Sequence, residues 1–269
     1  MLRDPGGSVM SDAALESVIG APIAGFLLVL ARLSPLFLLA PIFSSSLLPR
    51  RVRGTIAVGL AIGLAPIALQ GVRVPTDPGP YAEMLVKELL VGAAFAYVLM
   101  GLLAALQAAG TLLDLQIGFA FGATVDPVTG NHGAIVAQIY GLVGVAVLIA
   151  VGADSMIIQG LARTYDAVPL DGFPNMAVLV SGVLAALSGI LIAAIEVVAP
   201  MLLVLLLTDA AFGMVSRVVP QMNVFAVGFP VKVIVGMLFL AITLPFTAGW
   251  LADRIAPTVG DALRTLRVG

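Results

Sequence analysis

The sequence predicts an all-α membrane protein of about six hydrophobic segments that are bent at prolines. Hydrophobic residues make up 61% of the 269 residues and charged residues only 10%, whereas soluble domains carry roughly 25% charged residues. A membrane-spanning helix needs about 20 predominantly apolar residues. Six runs meet or approach that length: 18–43, 54–71, 83–106, 134–161, 176–208 and 226–252. Each run is a candidate membrane helix, and the fifth is long enough to span with residues to spare or to form a kinked or paired element at Pro200.

Prolines and small residues indicate how these helices pack. Each proline inside a helix removes an i→i−4 hydrogen bond and bends the helix. Prolines within or beside the runs are Pro22, Pro35, Pro41, Pro66, Pro200, Pro230 and Pro245. Small residues four apart let helix backbones approach closely in a membrane, and they occur at Gly59–Gly63, Gly118–Gly122 and Ser181–Ala185–Gly189. Bent helices with faces lined by small residues predict dense packing against neighbouring helices rather than a bundle surrounded by lipid.

Polar segments lie outside the apolar runs at both ends. Residues 1–17 contain acidic side chains and no small-residue cleavage site, so we interpret them as a polar lead rather than a signal peptide. Residues 18–252 are expected to form a single helical domain. Residues 253–269 are expected to be a short polar tail in which Arg254 is solvated.

A polar, glycine-rich stretch interrupts the apolar pattern at Gln107–His132. It contains Asp114, Gln116, Asp126 and Pro127, together with several glycines. Irregular backbone survives at membrane depth only where protein or a water-filled cavity surrounds it. The stretch is therefore a candidate for lining or closing a pathway. An ordinary loop between helices is the alternative that the stretch alone leaves open.

The sequence offers few groups for catalysis. It has no cysteine and only one histidine, His132, which excludes a disulfide, a thiolate nucleophile and a multi-histidine metal site. No phosphate-binding G-x-x-x-x-G-K-[ST] loop, G-x-S-x-G elbow or H-E-x-x-H pair occurs. Asp114 and Asp126 are the available carboxylate pair, although capping and turn formation explain them better. We expect no enzyme activity, cofactor or metal. The net charge of −2 gives no indication of nucleic-acid binding.

Ionisable side chains at membrane depth are costly in hydrocarbon and should face protein or water. Lys87, Glu88 and Asp154 stand near the ends of runs, so we expect them to reach the membrane surface. Deeper in the runs lie Arg32, Glu196 and Lys232. For these three, a functional or inter-subunit contact and a structural role both remain open.

A second polar break occurs within residues 208–232, TDAAFGMVSRVVPQMNVFAVGFPVK. A proline followed by Gln-x-Asn between two apolar runs predicts a helix–loop–helix corner. Arg217 is the more informative residue here, because its guanidinium is a fork-shaped donor suited to a carboxylate on a partner or to the carbonyls at a helix end.

At these residues the sequence resembles the FliR family of flagellar export-gate proteins. Their injectisome counterparts form the T subunit of the type III secretion export apparatus. Three stretches carry the resemblance, at residues 31–62, 87–130 and 199–237, and it covers about 21–250 in all. Its most specific parts are PQMNVFAVGFPVK and the pattern D-x-Q-x-G-F followed by Asp-Pro.

The resemblance implies an all-helical fold of bent hairpins and a role in the flagellar basal body of the bacterial inner membrane. There the chain would assemble with FliP-like and FliQ-like subunits, next to an FlhB-like switch protein. The assembly would be the entry pore for unfolded flagellar proteins. A plug that closes this pore would fall on Gly118, Phe119, Phe121, Gly122, Asp126 and Pro127. Contacts between subunits would fall on Arg217, Pro220, Gln221, Asn223, Phe229, Pro230 and Lys232.

Three other functions compete with the flagellar gate. An injectisome T subunit would share the same patterns. A small-molecule secondary transporter would also have broken helices and charges at mid-membrane, but the sequence has no internal repeat and six spans are few for that class. An intramembrane enzyme lacks the histidines, cysteines and motifs described above.

Overall fold

The computed structural model describes residues 21–40, 43, 49–75, 77–119, 134–221 and 223–266. These residues form α-helices and no strand, which confirms the predicted all-α class. The helices in order are α1 (Ala21–Leu39), α2 (Arg50–Ala68), α3 (Pro78–Ile117), α4 (Ile135–Ala150), α5 (Ala153–Ala167), α6 (Met176–Val218) and α7 (Val224–Arg264). The predicted polar lead lies outside the described residues.

Five of these helices, α1, α2, α3, α6 and α7, are long and apolar enough to cross a membrane. The fourth predicted run, 134–161, is broken: α4 and α5 are separated at residues 151–152, where the chain bends by 73°. Gly152 has a φ of +72° at this break, a conformation that glycine adopts without the strain of a side chain. If the bent pair counts as one span, the described residues contain up to six, in agreement with the six apolar runs.

Several helices extend past the apolar runs that predicted them. α3 continues to Ile117, so the first part of Gln107–His132 is helical rather than irregular. α7 continues to Arg264, so most of the predicted polar tail is also helix. The hydropathy pattern ends where polar side chains begin, whereas a helix continues as long as its backbone hydrogen bonds do. Polar side chains with partners inside the protein therefore lengthen these helices.

Prolines stand inside four of the described helices, as the sequence predicts. They are Pro35 in α1, Pro66 in α2, Pro200 in α6, and Pro230, Pro245 and Pro257 in α7. Each of them removes one backbone donor from its helix. Pro41 lies outside the described residues.

The chain divides into two compact units. Unit 1 comprises Met1–Leu99, Ile157–Val183 and Val259–Gly269, and unit 2 comprises Met100–Met156 and Leu184–Thr258. Within unit 1, α1 packs against α2 and contributes core side chains with no exposed surface. These are Leu28, Val29, Leu33 and Leu36. Within unit 2, Tyr140, Leu148, Met201 and Leu205 are buried to the same degree or nearly so.

Close helix approach occurs at glycines other than the predicted pairs. A Cβ atom at Gly92 of α3 would overlap the carbonyl oxygen of Arg32 in α1, so the two helices meet backbone to backbone. Gly59, Gly63 and Gly189 have no atom within 4 Å of a built Cβ among the described residues. These three glycines therefore meet no other helix within the described part of the chain, and their predicted packing against neighbours stays a prediction.

Replacing Gly92 with alanine should lower the free energy of unfolding by about 1–3 kcal/mol, because the backbones of α1 and α3 must separate to admit the methyl group. The matched control is Gly59→Ala, which meets open space and should leave stability unchanged or raise it by up to about 1 kcal/mol. Thermal unfolding of the two variants in detergent measures the difference. Equal midpoints for Gly92→Ala and Gly59→Ala would contradict the backbone contact.

Candidate functional site

The end of α3 brings together the residues that the D-x-Q-x-G-F pattern singles out. We call Asp114, Gln116, Gly118, Asp209 and Lys232 the α3-end cluster; all five belong to unit 2. Gly118 is also the first residue of the segment to which the sequence assigns a plug. Its contacts determine how the chain leaves α3 and how it enters α4.

Asp114 caps α4 from the side of α3. Its side chain is 2% exposed and accepts two backbone hydrogen bonds, from Val136 N to Oδ1 at 2.8 Å and from Ala137 N to Oδ2 at 3.0 Å. The first N–H groups of a helix have no acceptor within the helix, and a carboxylate there is also favoured by the helix dipole. Capping is thus the role of Asp114, in agreement with the favoured interpretation of the sequence.

Gly110 makes this cap possible. It lies one turn before Asp114 on α3, and a Cβ atom at this position would overlap the backbone of Ala137. The end of α3 therefore reaches the first turn of α4 closely enough for the Asp114 carboxylate to bind both N–H groups. The last turns of α3 and the first turn of α4 are consequently held together.

Gln116 joins α3 to an ion pair between α6 and α7. Its Nε2 donates to Asp209 Oδ2 at 2.9 Å, and Lys232 Nζ lies 2.9 Å from Asp209 Oδ1 and 3.1 Å from Oδ2. The Lys232 side chain is 19% exposed and that of Asp209 is 42% exposed. Lys232 therefore has a partner inside its own chain, and its predicted contact with another subunit stays a prediction.

Gly118 ends α3 in a left-handed turn. Its φ is +104°, and its N–H donates to the carbonyl oxygen of Asp114 at 3.1 Å. Glycine is the usual residue just past a helix end because it adopts positive φ without strain. Beside this turn, Ile117 packs on α7 where Gly236 leaves room, since a Cβ there would lie 2.6 Å from Ile117 Cδ1.

The structure describes only the beginning of the predicted plug. Gly118 is buried and Phe119 is half-buried directly after α3. Phe121, Gly122, Asp126 and Pro127 lie outside the described residues. The plug assignment therefore stays a prediction for all six positions.

A second ion pair between α6 and α7 is half-exposed. Arg254 Nη2 lies 2.9 Å from Glu196 Oε2 and 3.1 Å from Oε1, with side chains 48% and 46% exposed. The guanidinium also lies 5.4 Å from the ring centroid of Trp250. Arg254 is exposed, but it lies on α7 and pairs with Glu196, so the segment that contains it is helical. The predicted inter-subunit role of Glu196 is untested.

The predicted corner between α6 and α7 is confirmed at 219–223. Asn223 Oδ1 accepts a hydrogen bond from Ala226 N at 3.1 Å and so caps α7. Arg217, in the last turn of α6, is exposed and makes no ion pair with any residue that the structure describes. The other predicted contact residues here are also exposed: Pro220, Gln221, Phe229 and Pro230.

Arg32 lies in unit 1 and differs most from its predicted role. Its side chain is fully buried, with Nε 2.5 Å from Glu88 Oε2 and Nη2 3.0 Å from Oε1. Nη1 donates to Thr164 Oγ1 at 3.3 Å, Nη2 donates to Val168 O at 2.8 Å, and the guanidinium carbon lies 4.1 Å from the ring centroid of Tyr165. No surface of Arg32 remains for another subunit, so we remove it from the predicted contact residues.

Lys87 and Glu88 do not extend to the membrane surface. Their side chains are 2% and 0% exposed, and Lys87 Nζ lies 3.1 Å from Glu88 Oε1. The prediction was wrong because Glu88 lies between two cations, one of them Arg32, 56 positions away. Compensated charges can be buried where isolated ones cannot. Asp154 is exposed in the first turn of α5.

Neither the pairing of Glu88 with Arg32 nor that of Asp209 with Lys232 is apparent from the sequence. The sequence indicates only that each ionisable residue at membrane depth needs a partner. Which partner it finds depends on helix packing.

These features define the class of the protein: a helical membrane protein whose polar side chains pair between helices. The family model described as bacterial export proteins, family 1, matches residues 23–257. The chain is 30% identical over 225 residues to the flagellar biosynthetic protein FliR of Bacillus subtilis (strain 168), covering 81% of this chain and 85% of that protein. It is 28% identical to FliR of Escherichia coli (strain K12), covering 81% and 84%, and 26% identical to the surface presentation of antigens protein SpaR of Shigella sonnei, covering 78% and 81%.

The chain therefore belongs to the bacterial export proteins, family 1, the FliR/SpaR type III secretion family that the resemblance indicates. It is a membrane component of a type III export apparatus.

Replacing Asp114 with asparagine should lower the free energy of unfolding by about 1–3 kcal/mol, because one of the two charge-assisted hydrogen bonds to α4 is lost and the other is weakened. Asp154→Asn is the matched control: it removes an exposed carboxylate from the first turn of α5 and should cost less than about 1 kcal/mol. Denaturant unfolding in detergent followed by circular dichroism measures both. If the two variants lose the same stability, the cap does not hold α3 to α4.

Proposed function

We propose that the chain is a subunit of the flagellar type III export gate in the bacterial inner membrane. With FliP-like and FliQ-like subunits it forms the pore through which unfolded flagellar proteins leave the cell, next to an FlhB-like switch protein. Its role is structural: it shapes and closes a passage, and it needs no cofactor. The family and the FliR relatives support this proposal.

The observation that carries the proposal is the surface of α6 and α7. Only 28% of the best spanning window of α6 and 17% of that of α7 are buried within the chain. Lipid could cover apolar side chains, but the same helices carry the half-exposed pair Glu196–Arg254 and the partly exposed carboxylate of Asp209. A charged side chain at the membrane centre costs at least about 2.5–3.5 kcal/mol. Neighbouring subunits or a water-filled passage would remove this cost.

The α3-end cluster supports the proposed plug. Asp114 fixes the start of α4, Gln116 fixes the end of α3 to Asp209, and Gly118 begins the departing segment. In our proposal, the segment from Gly118 to Pro127 closes the pore from this rigid base. A plug on a fixed base can leave the pore without unfolding the helices around it.

The exposed corner between α6 and α7 supports a contact with another subunit. Arg217 offers donors that no described residue uses in an ion pair, and Phe229, twelve positions later on α7, is 40% exposed. Arginine and aromatic residues are enriched at interfaces. We propose that this corner, together with Glu196 and Lys232, binds neighbouring gate subunits.

A role in an injectisome is the second candidate. It is favoured by the 26% identity to SpaR of Shigella sonnei. We prefer the flagellar role because FliR of Bacillus subtilis is 30% identical over a larger share of the chain.

Arg217→Ala should lower the amount of FliP-like and FliQ-like subunits that co-purify with the tagged chain by at least about threefold, which corresponds to a loss of ~0.7 kcal/mol. Arg163→Ala is the matched control, since Arg163 is exposed on α5 away from the corner in sequence. Quantitative mass spectrometry of the purified complex measures the ratio. Equal yields for the two variants would remove Arg217 from the proposed contact. If the wild-type chain purifies alone, the gate assignment itself fails.

Deleting residues 118–122 should make cells leaky to ions while the complex still assembles, because the deletion removes the start of the plug. Membrane potential reported by a fluorescent dye measures the leak. The control is the same deletion expressed without the partner subunits, where no pore forms and no leak is expected. Wild-type conductance in the complete assembly would disprove the plug.

A further inference from the structure

The connection from α5 to α6 is organised by side chains of other helices. Residues 168–173, which we call the strap, are not helical, so their carbonyl groups lack the partners that a helix supplies. Val168 O accepts a hydrogen bond from Arg32 Nη2 at 2.8 Å. Leu170 O and Gly172 O accept from Lys87 Nζ, the latter at 2.9 Å. All of these groups belong to unit 1.

Lys87 occupies the position that a bound cation would take. Its ammonium has three hydrogens and meets Leu170 O, Gly172 O and Glu88 Oε1, with Pro169 O at 3.5 Å. The ring centroid of Phe173 lies 5.4 Å away. Carbonyl and carboxylate oxygens are the ligands that proteins use for hard cations. The Lys87 side chain is 2% exposed, so water does not supply these contacts.

The charges of this cluster separate the role of Lys87 from that of Arg32. Arg32 and Lys87 carry two positive charges and Glu88 carries one negative charge. Without Lys87, Glu88 keeps its two-point contact with Arg32, whereas Leu170 O and Gly172 O lose their donor. The strap, and not the ion pair, is therefore the part that depends on Lys87.

We propose that the ammonium of Lys87 is a tethered cation around which the strap closes. The pocket formed by Leu170 O, Gly172 O and the Glu88 carboxylate is a binding site for a primary ammonium group, and the chain fills it with its own lysine. The strap opens when the ammonium is absent, while the helices of unit 1 remain packed. This device fixes where α5 ends and α6 begins, and it is independent of what the gate exports.

The sequence contains no cysteine, so one introduced cysteine reports on one position. Leu170→Cys places a thiol where the native side chain has no exposed surface. The full chain, in its assembled complex in membrane vesicles, is treated with a small methanethiosulfonate reagent. In the double variant Leu170→Cys with Lys87→Met, the thiol should react at least tenfold faster than in the single variant Leu170→Cys. Arg264→Met is the matched control, because it removes an exposed cation that pairs with Asp261 within α7, and it should leave the rate unchanged.

A second variant tests the site itself. In Lys87→Ala with Leu170→Cys, adding propylammonium should restore protection of the thiol. Tetramethylammonium, which has the same charge but no N–H donor, should not. Equal protection by both ions overturns the proposal, because it would show a general effect of salt.

Two further results would overturn the proposal. One is an equal labelling rate for Lys87→Met and Arg264→Met. The other concerns a cysteine at Met201, which is 1% exposed in unit 2. If Lys87→Met also increases labelling at Met201→Cys, Lys87 supports the whole fold and not the strap in particular.

Discussion

The buried ion pair between Arg32 and Glu88 is the contact on which the packing of unit 1 depends. Removing one partner of such a pair typically costs 3–5 kcal/mol, because it leaves a charge buried without compensation. Glu88 and Gly92 stand four residues apart and therefore on one face of α3. Arg32 meets both of them: its guanidinium binds Glu88, and its carbonyl oxygen fits against Gly92. One residue of α1 thus determines both how closely and in which register α3 packs against it.

The same constraint acts in unit 2, where polar groups of one helix are satisfied by another. Asp114 binds the free N–H groups of α4, and Gln116 binds the carboxylate that also holds Lys232. Both residues lie on the last two turns of α3, so hydrogen bonds to α4 and to α6 fix the position of the end of this helix. In the proposed gate, these contacts fix the point of α3 from which the plug departs.

In the proposed gate, the half-exposed ion pair between Glu196 and Arg254 is the feature that a self-sufficient helical bundle would not need. A bundle that functions alone would present apolar side chains to lipid and keep its charges inside, as unit 1 does with Arg32 and Glu88. Glu196 and Arg254 are instead about half exposed on helices that are long enough to cross a membrane. Membership in a family of bacterial export proteins gives this surface a physical explanation, because an apparatus with several components supplies neighbours that single membrane proteins lack.

The sequence by itself determined the all-α membrane class and the position of the apolar runs, because apolar composition and run length follow directly from the residues. It also determined the family, since PQMNVFAVGFPVK and the D-x-Q-x-G-F pattern are specific, and it favoured capping or turn formation over acid–base chemistry for Asp114. Only the tertiary structure decided which charges pair. Arg32 and Glu88 are 56 positions apart, and Asp209 and Lys232 lie on different helices. The rotation and spacing of packed helices decide whether Lys87 reaches the surface or stays buried. They also decide whether Gly92 or Gly59 lies against a neighbouring helix, and local sequence does not encode them.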